Sequence, residues 1–453
     1  MGRITATQIT NIQGAVQRSS RQAVKDILLD NQSNLNSFIW LNPQNKYLVN
    51  TIDTIFKDQS ADRRFSNYRL YKNQLKEYIG ISSILHCKDG WDFFSSAVGL
   101  LLEGNIANCI HMAYYAELRA AMSILASDGI GVFNNTHYWI DNSNSLNHLN
   151  GPGTHDFVWH TFEEWSKVQT KSNSILNIVE INNSSIFDWL VASGMSPTIT
   201  TTTDLTRDWL KKWSIDLRVL GQDHISRNDV SYRPQEIKRS IRYLIEPRRN
   251  IETVLNNWAI SEPTGTEKFR ILDYYLLREC LFKYFENQYG RNPLESDITA
   301  IMSSLGMSQN TFLEDFLIKS EHPNVNMLFR EANKKAISEH YQYRPLPLLA
   351  RAFLLLRLST AFVKDSLSYA GYTNSNLDFW WDDVGVKHGL WENGNKPAPI
   401  EDLWSDIEIF IESVNLHLSN AHANSPINYQ NDLSKELLQM RKFQKPYLWG
   451  IGL

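Results

Sequence analysis

Cysteine is scarce in this chain. It has three in 453 residues, Cys87, Cys109 and Cys280, with no Cys-x-x-Cys pair and no histidines at zinc spacing. That excludes a disulfide framework and a zinc module, and it makes a reducing cytoplasm the expected compartment. Also missing are a Gly-rich phosphate loop, a Gly-x-Ser-x-Gly elbow, His-Glu-x-x-His and a dinucleotide fingerprint. Their absence argues against most nucleotide-driven and hydrolytic enzymes, and no cofactor is expected. Nor is there an excess of one charge. With 45 Lys+Arg against 49 Asp+Glu the net charge is −4, so any contact with nucleic acid requires a local patch. Long apolar runs are lacking too: the N-terminal residues show none of signal-peptide length. The longest, Pro347–Leu358, is broken by Arg351 and Arg357 and is too short to span a bilayer, so no membrane contact is expected.

Aromatic residues and helical periodicity are what the chain does have. Fourteen tryptophans favour a well-packed core or large interfaces. Alternating strand patterns are scarce and no repeat of fixed period is present. The fold expected is all-α, a multi-helix bundle in three parts: an N-terminal helical segment 1–88, a helical domain 89–260 and a C-terminal helical domain 268–453. The Pro- and Gly-containing stretch 261–267 serves as the linker. Residues 129–153, rich in Asn, Gly and Ser, and 372–401 are expected to be irregular. The stripe Leu205, Trp209, Trp213, Leu217 and Leu220 predicts a helix from Asp204 that Gly221 ends. A further helix is expected from Pro234 until Pro247 stops it.

The most informative stretch is Asn105–Ile130 with the lead-in GWDFFSSAVGLLLEG. Ile106, Ile110, Ala113, Tyr114, Leu118, Ala121 and Leu125 recur at three- and four-residue steps, which predicts one apolar helix face. Gly104 suits the left-handed end of a preceding helix, and Asn105 suits the cap of the next. The spacing predicts a helix–turn–helix over 91–127 with Trp91 and Tyr114 buried. In these residues the chain resembles the HEPN family, small all-helical domains of RNA-cutting toxins, their antidotes and anti-phage proteins. There too a Gly-ended helix feeds an Ala-Tyr-Tyr-Ala helix that closes with Gly-Ile and a nearby Thr-His, here Gly129-Ile130 and Thr136-His137. The likeness covers roughly residues 90–245.

The resemblance implies a HEPN-like core and an endoribonuclease that needs no metal. In such enzymes an Arg and a His, four to six residues apart, act on RNA: the 2′-hydroxyl attacks the adjacent phosphate, His moves protons and Arg steadies the developing charge. Two registers fit within Leu217–Gln235. Arg218 and His224 have the right spacing across the Gly221 break. Arg227-Asn228 with Tyr232 gives the family's polar second residue, with Tyr in place of His. A tyrosine titrating near its ordinary pKa of about 10 is a poor base at neutral pH, whereas histidine titrates near neutrality and arginine can brace two phosphate oxygens. The structural alternative is that Arg227 and Asn228 cap helices and tie the loop down while Tyr232 packs beneath it.

Around this segment Arg227, Arg233, Lys238, Arg239, Arg242, Arg248 and Arg249 form the densest positive run in the chain, which suits RNA phosphates, an acidic partner or a solvated helix face. His111, His137, His155 and His160, with Glu163 or Asp156, are a weaker metal candidate whose ordinary alternative is buried or helix-start histidine. Trp380-Trp381-Asp382-Asp383 with His388 and Trp391 hints at magnesium, but adjacent side chains diverge and the aromatics favour a packed loop. The resemblance implies an RNA-directed effector of prokaryotic anti-phage defence, a homo-oligomer, with a defence-system protein as a candidate partner. The rival is a non-catalytic helical scaffold or sensor that binds a partner protein or nucleic acid.

Overall fold

The computed structural model describes residues 4–34, 72–133, 136–196, 217–232, 242–243, 247–265, 267–319, 325–335, 342–419 and 431–453. Among them the architecture is all-α with minor strands, as expected. Helix α1 (Ala6–Arg18) starts at a reciprocal cap between Thr5 and Gln8, and α2 (Arg21–Asp30) starts on the Ser20 hydroxyl. The hairpin follows. Helix α3 (Lys72–Leu102) ends, Gly104 takes φ +77°, and the Asn105 side chain accepts from the backbone N–H of Asn108 to open α4 (Ile106–Ser127). Trp91 and Tyr114 are both fully buried.

Residues 129–153 correct one expectation. They form an antiparallel sheet, β1 (Ile130–Gly131), β2 (Thr136–Ile140) and β3 (Leu146–Asn150), with β2 in the middle. Alternation is hidden because β2 is buried on both faces. The Asn and Ser residues build its turn: the Asp141 carboxylate accepts from the backbone N–H groups of Ser143 and Ser145, and Asn144 takes φ 55°. Next come α5 (Thr154–Lys167), α6 (Gln169–Ile178), a two-stranded hairpin β4 (Glu180–Ile181) and β5 (Ser184–Ser185), and α7 (Ile186–Ala192).

Helix α8 (Leu217–Tyr232) runs straight through Gly221, where a stop was expected. The apolar stripe from Leu205 lies mainly outside the described residues, as do Pro234 and the start of the helix expected there. Strand β6 (Arg242–Tyr243) occupies part of that span and pairs in parallel with β7 (Gln342–Tyr343). Pro247 opens a helix rather than closing one, α9 (Pro247–Ile260), because a missing N–H costs nothing at a first helical position. The chain continues through α10 (Arg270–Tyr289), α11 (Glu295–Ser304), α12 (Thr311–Ile318), α13 (Val325–Ala332) and α14 (Leu346–Tyr369). It closes with α15 (Asn374–Lys387), α16 (Leu403–Ser419), α17 (Ser434–Met440) and α18 (Gln444–Ile451). Helix α15 stands where 372–401 was expected to be irregular, and at its start Asn376 Oδ1 accepts from both the backbone N–H and the hydroxyl of Thr373.

The core is one connected cluster centred on α3, α4 and α14. Among the described residues seven tryptophans are fully buried, which accounts for much of that aromatic area. Helices α3, α4 and α14 approach closely at Gly90, where a Cβ would sit 2.7 Å from Leu356 Cδ2. The expected boundary at 88/89 cuts through α3. Helix α14, from the expected C-terminal part, packs on both halves of the hairpin.

Two arginines interrupt the apolar sequence of α14, and both are buried. Arg357 donates to both Asp273 oxygens on α10, at 2.8 and 2.7 Å. Arg351 is wholly buried: it donates to Asp223 Oδ2 on α8 at 2.7 Å, to Glu117 Oε1 on α4 at 3.3 Å, and to the carbonyls of Ala332 and Lys334 at 2.9 Å each. Burial and the neighbouring Asp223 raise the Glu117 carboxyl well above the ordinary carboxylate range. Burial raises Asp223 too, but Arg351 holds Asp223 at 2.7 Å and Glu117 only at 3.3 Å, so Glu117 is the acid expected to keep a proton, which pairs one arginine with one carboxylate. Removing the arginine strands the Asp223 charge in the core. Arg351→Met is expected to lower stability by roughly 3–5 kcal/mol in urea unfolding. Glu117→Gln, which keeps the neutral acceptor, is expected to cost less than about 1 kcal/mol. Equal losses in the two variants would contradict the assignment of the proton.

Candidate active site

The site forms where α8 lies against α4 and α5. On α4 the small flanking alanines of Ala113-Tyr114-Tyr115-Ala116 leave room for two tyrosines that point to different neighbours. Tyr114 is fully buried, facing α5 and α8, and Tyr115 stacks on Phe93 of α3 with centroids 5.4 Å apart. On α8 His224, Arg227, Asn228 and Ser231 fall at three- and four-residue steps and share a face. Asp223, gripped by Arg351, fixes that face toward α4.

Arg227 is buried beside Tyr115. Its Nη2 donates to the Tyr115 hydroxyl, and its guanidinium carbon lies 5.2 Å from that ring's centroid. Its Nη1 donates to Asn228 Oδ1 at 2.8 Å, which turns the Asn228 amide nitrogen toward His224 Nε2 at 3.4 Å. The half-buried His224 ring stacks on His155 of α5 with centroids 5.1 Å apart and planes 13° apart, and on Tyr114 at 5.7 Å. His111 Nδ1 meets Ser231 Oγ at 2.6 Å, closing the rim.

Both central imidazoles are neutral near pH 7. Burial brings His155 down to about 4, and His224 and Arg227 oppose its charged form further. Burial also lowers His224, with Arg227 acting in the same direction and Asp156 against it. A neutral, partly accessible imidazole next to a guanidinium can take a proton from a hydroxyl and brace an anionic phosphate.

Of the sequence-selected residues, His224, Arg227 and Asn228 come together. The side chains of Arg218, Tyr232 and Arg242, and the whole of Arg233, Lys238 and Arg239, lie outside the described residues. The positive run is weaker than its sequence implied at Arg248 and Arg249, the two members besides Arg227 whose side chains are described. Arg248 pairs with Glu252 at 2.9 Å and Arg249 with Glu331 at 2.6 Å. Sequence reasoning placed His155 in a metal group and so missed it here. The four-residue step from His155 to Trp159 was the available signal. Among the described residues no three His, Cys, Asp or Glu side chains converge as a metal site.

The remaining candidates are structural. His137 is buried, accepts from the backbone N–H of Phe133 at 3.1 Å and faces the Pro152 carbonyl at 3.0 Å, with Phe157 stacked on it. His160 is half-buried on α5, and burial lowers its pKa. Trp380 and Trp381 are buried on α15, Asp383 pairs with Lys387, and His388 reaches Asp92 at 3.3 Å, so no acidic pair with histidine assembles. Comparison of the chain with known families, curated proteins and solved structures finds no match.

Burial lowers the His137 pKa from 6.5 to about 4, so the unfolded chain binds its proton at higher pH than the folded one does. The stability it contributes is fully present above pH 6.5 and is lost as pH falls toward 4. In urea unfolding, the stability gap between wild type and His137→Gln should shrink by roughly 2 kcal/mol from pH 7.5 to 5. A gap that does not change with pH would refute the neutral-histidine account.

Proposed function

We propose that the protein is a HEPN-like, RNA-directed effector of prokaryotic anti-phage defence, working in the cytoplasm as an endoribonuclease without a metal. The observation that carries this reading is the placement of His224, Arg227 and Asn228 on one face of α8 against the two tyrosines of the α3–α4 hairpin. His224 removes the proton of the RNA 2′-hydroxyl, the oxygen attacks the adjacent phosphorus, and the bond to the 5′-oxygen breaks. The same proton then passes to the leaving oxygen, giving a 2′,3′-cyclic phosphate and a 5′-hydroxyl. Arg227 steadies the charge on the phosphate oxygens. Arg218 and Tyr232 are proposed as further members of the site, and Arg233, Lys238, Arg239, Arg242, Arg248 and Arg249 as further phosphate contacts. A second copy of the chain, meeting through the HEPN-like region, completes a composite RNA site, and a defence-system protein is the expected partner.

One observation favours the scaffold reading. Arg227 already spends Nη1 on Asn228 and Nη2 on Tyr115, as a purely structural arginine would. Cells expressing the wild type beside a His224→Ala, Arg227→Ala double variant separate the two. Fragmented total RNA with cyclic-phosphate ends is expected only in the wild type, and purified His224→Ala should lose at least about 10²-fold in kcat. Intact RNA in both cultures would leave the scaffold. Sedimentation at micromolar concentration should show a dimer, and a strict monomer would remove the two-copy site.

A further inference from the structure

We infer that His155 is a substrate-contacting residue of this site, a neutral imidazole locked to present its Nε2–H to a phosphodiester oxygen. The inference rests on the ribonuclease reading only for the reaction served; the lock itself follows from hydrogen-bond direction. Trp159 carries one polar hydrogen and no acceptor, so its Nε1 must donate to the Tyr114 oxygen, 3.2 Å away. The Tyr114 hydroxyl then points its own hydrogen at His155 Nδ1, 2.9 Å away. Nδ1 can only accept, and the ring proton must sit on Nε2. Trp159 and Tyr114 are fully buried, so neither link competes with water. Nε2 makes no hydrogen bond with any described residue.

The neighbouring imidazole is fixed in the opposite sense. The Arg227 guanidinium sets the Asn228 amide, the amide nitrogen faces His224 Nε2, and the proton of neutral His224 sits on Nδ1. Two nearly parallel rings 5.1 Å apart thus carry one N–H, on His155, and one lone pair, on His224, which the 2′-hydroxyl reaches by displacing the long 3.4 Å contact from the Asn228 amide. In the arrangement inferred, His224 faces the 2′-hydroxyl while His155 holds a non-bridging oxygen of the same phosphodiester. Two stacked imidazolium ions would repel each other, and the Arg227 charge lies beside both. A neutral donor is the form of His155 that tolerates this company, and it stabilises developing negative charge without releasing a proton. With Arg227 partly committed to Tyr115 and Asn228, His155 supplies the uncommitted donor.

Nitrogen-15 correlation spectra of histidine-labelled full-length protein test the lock directly. Wild type is expected to show His155 as the single Nε2–H tautomer at neutral pH, and Tyr114→Phe should let the two tautomers mix. Adding a 2′-deoxy oligonucleotide, which binds but cannot be cut, should move the His155 Nε2–H resonance. In cleavage assays His155→Ala should lose about 10²–10³-fold in kcat, while His155→Gln, which keeps an N–H donor, recovers to within about tenfold of wild type. An Nδ1–H tautomer, or an Nε2–H signal that ignores the oligonucleotide, overturns the inference. So does equal cleavage by wild type and His155→Ala. A wild type that cuts no RNA but whose His155 signal follows the oligonucleotide overturns the ribonuclease reading and keeps the phosphodiester contact.

Discussion

One guanidinium, wholly out of water, sets the geometry of this protein. Arg351 lies between a carboxylate on α8, a carboxyl on α4 and the carbonyls of Ala332, the last residue of α13, and Lys334, and neither acid has solvent to fall back on. Apolar packing tolerates small slips, but a buried ion pair does not, since a displaced charge keeps its desolvation cost and loses its compensation. Asp223 and His224 are consecutive, so fixing one by ion pairing fixes the rotation at which α8 presents the other. The core arginine and the surface histidine are two readouts of a single helix orientation.

From that orientation the polar groups order one another by donor and acceptor identity. One relay runs from Trp159 through Tyr114 to His155; the other runs from Arg227 through Asn228 to His224. Each begins at a group that can only donate and ends at an imidazole nitrogen that can only accept. Rotamer freedom is small in such a chain, and preorganised polar groups of this kind act with little rearrangement when charge develops. Tyr114 belongs to both the packing and the polar order: its ring stacks on His224 and its hydroxyl serves His155.

The hairpin was legible in the sequence because its signals agree: apolar residues at helical steps, a glycine for the left-handed turn and an asparagine for the cap. Three features were not. Strand β2 is buried on both faces, so Thr136–Ile140 lacks the alternation that betrays a strand. Beyond Gly221, α8 is held by polar contacts, Asp223 to Arg351 and Arg227 to Tyr115, and periodicity of apolar residues cannot report those. Helix α15 depends on Trp380 and Trp381 stacking 5.1 Å apart and meeting Tyr447, a partner far along the chain. The candidate site was half legible. The triplet on α8 could be selected by residue type and spacing, but His155 acquires its role from Tyr114 and Trp159 only in three dimensions.

Helix α14 has a consequence for how the chain sorts itself during synthesis. Taken alone, Leu346–Tyr369 is long and apolar enough to cross a bilayer, yet its apolar window is wholly enclosed by protein. A nascent segment of this composition has two solvents open to it, lipid and the protein's own interior, and apolar area alone does not choose between them. Arg351 and Arg357 choose. Each would cost about 2.5–3.5 kcal/mol near the middle of a membrane. The interior offers Asp223 and Glu117 to one and Asp273 to the other. The two charges that break the longest apolar run thus serve as a routing label, legible only to the helices that carry the matching acids.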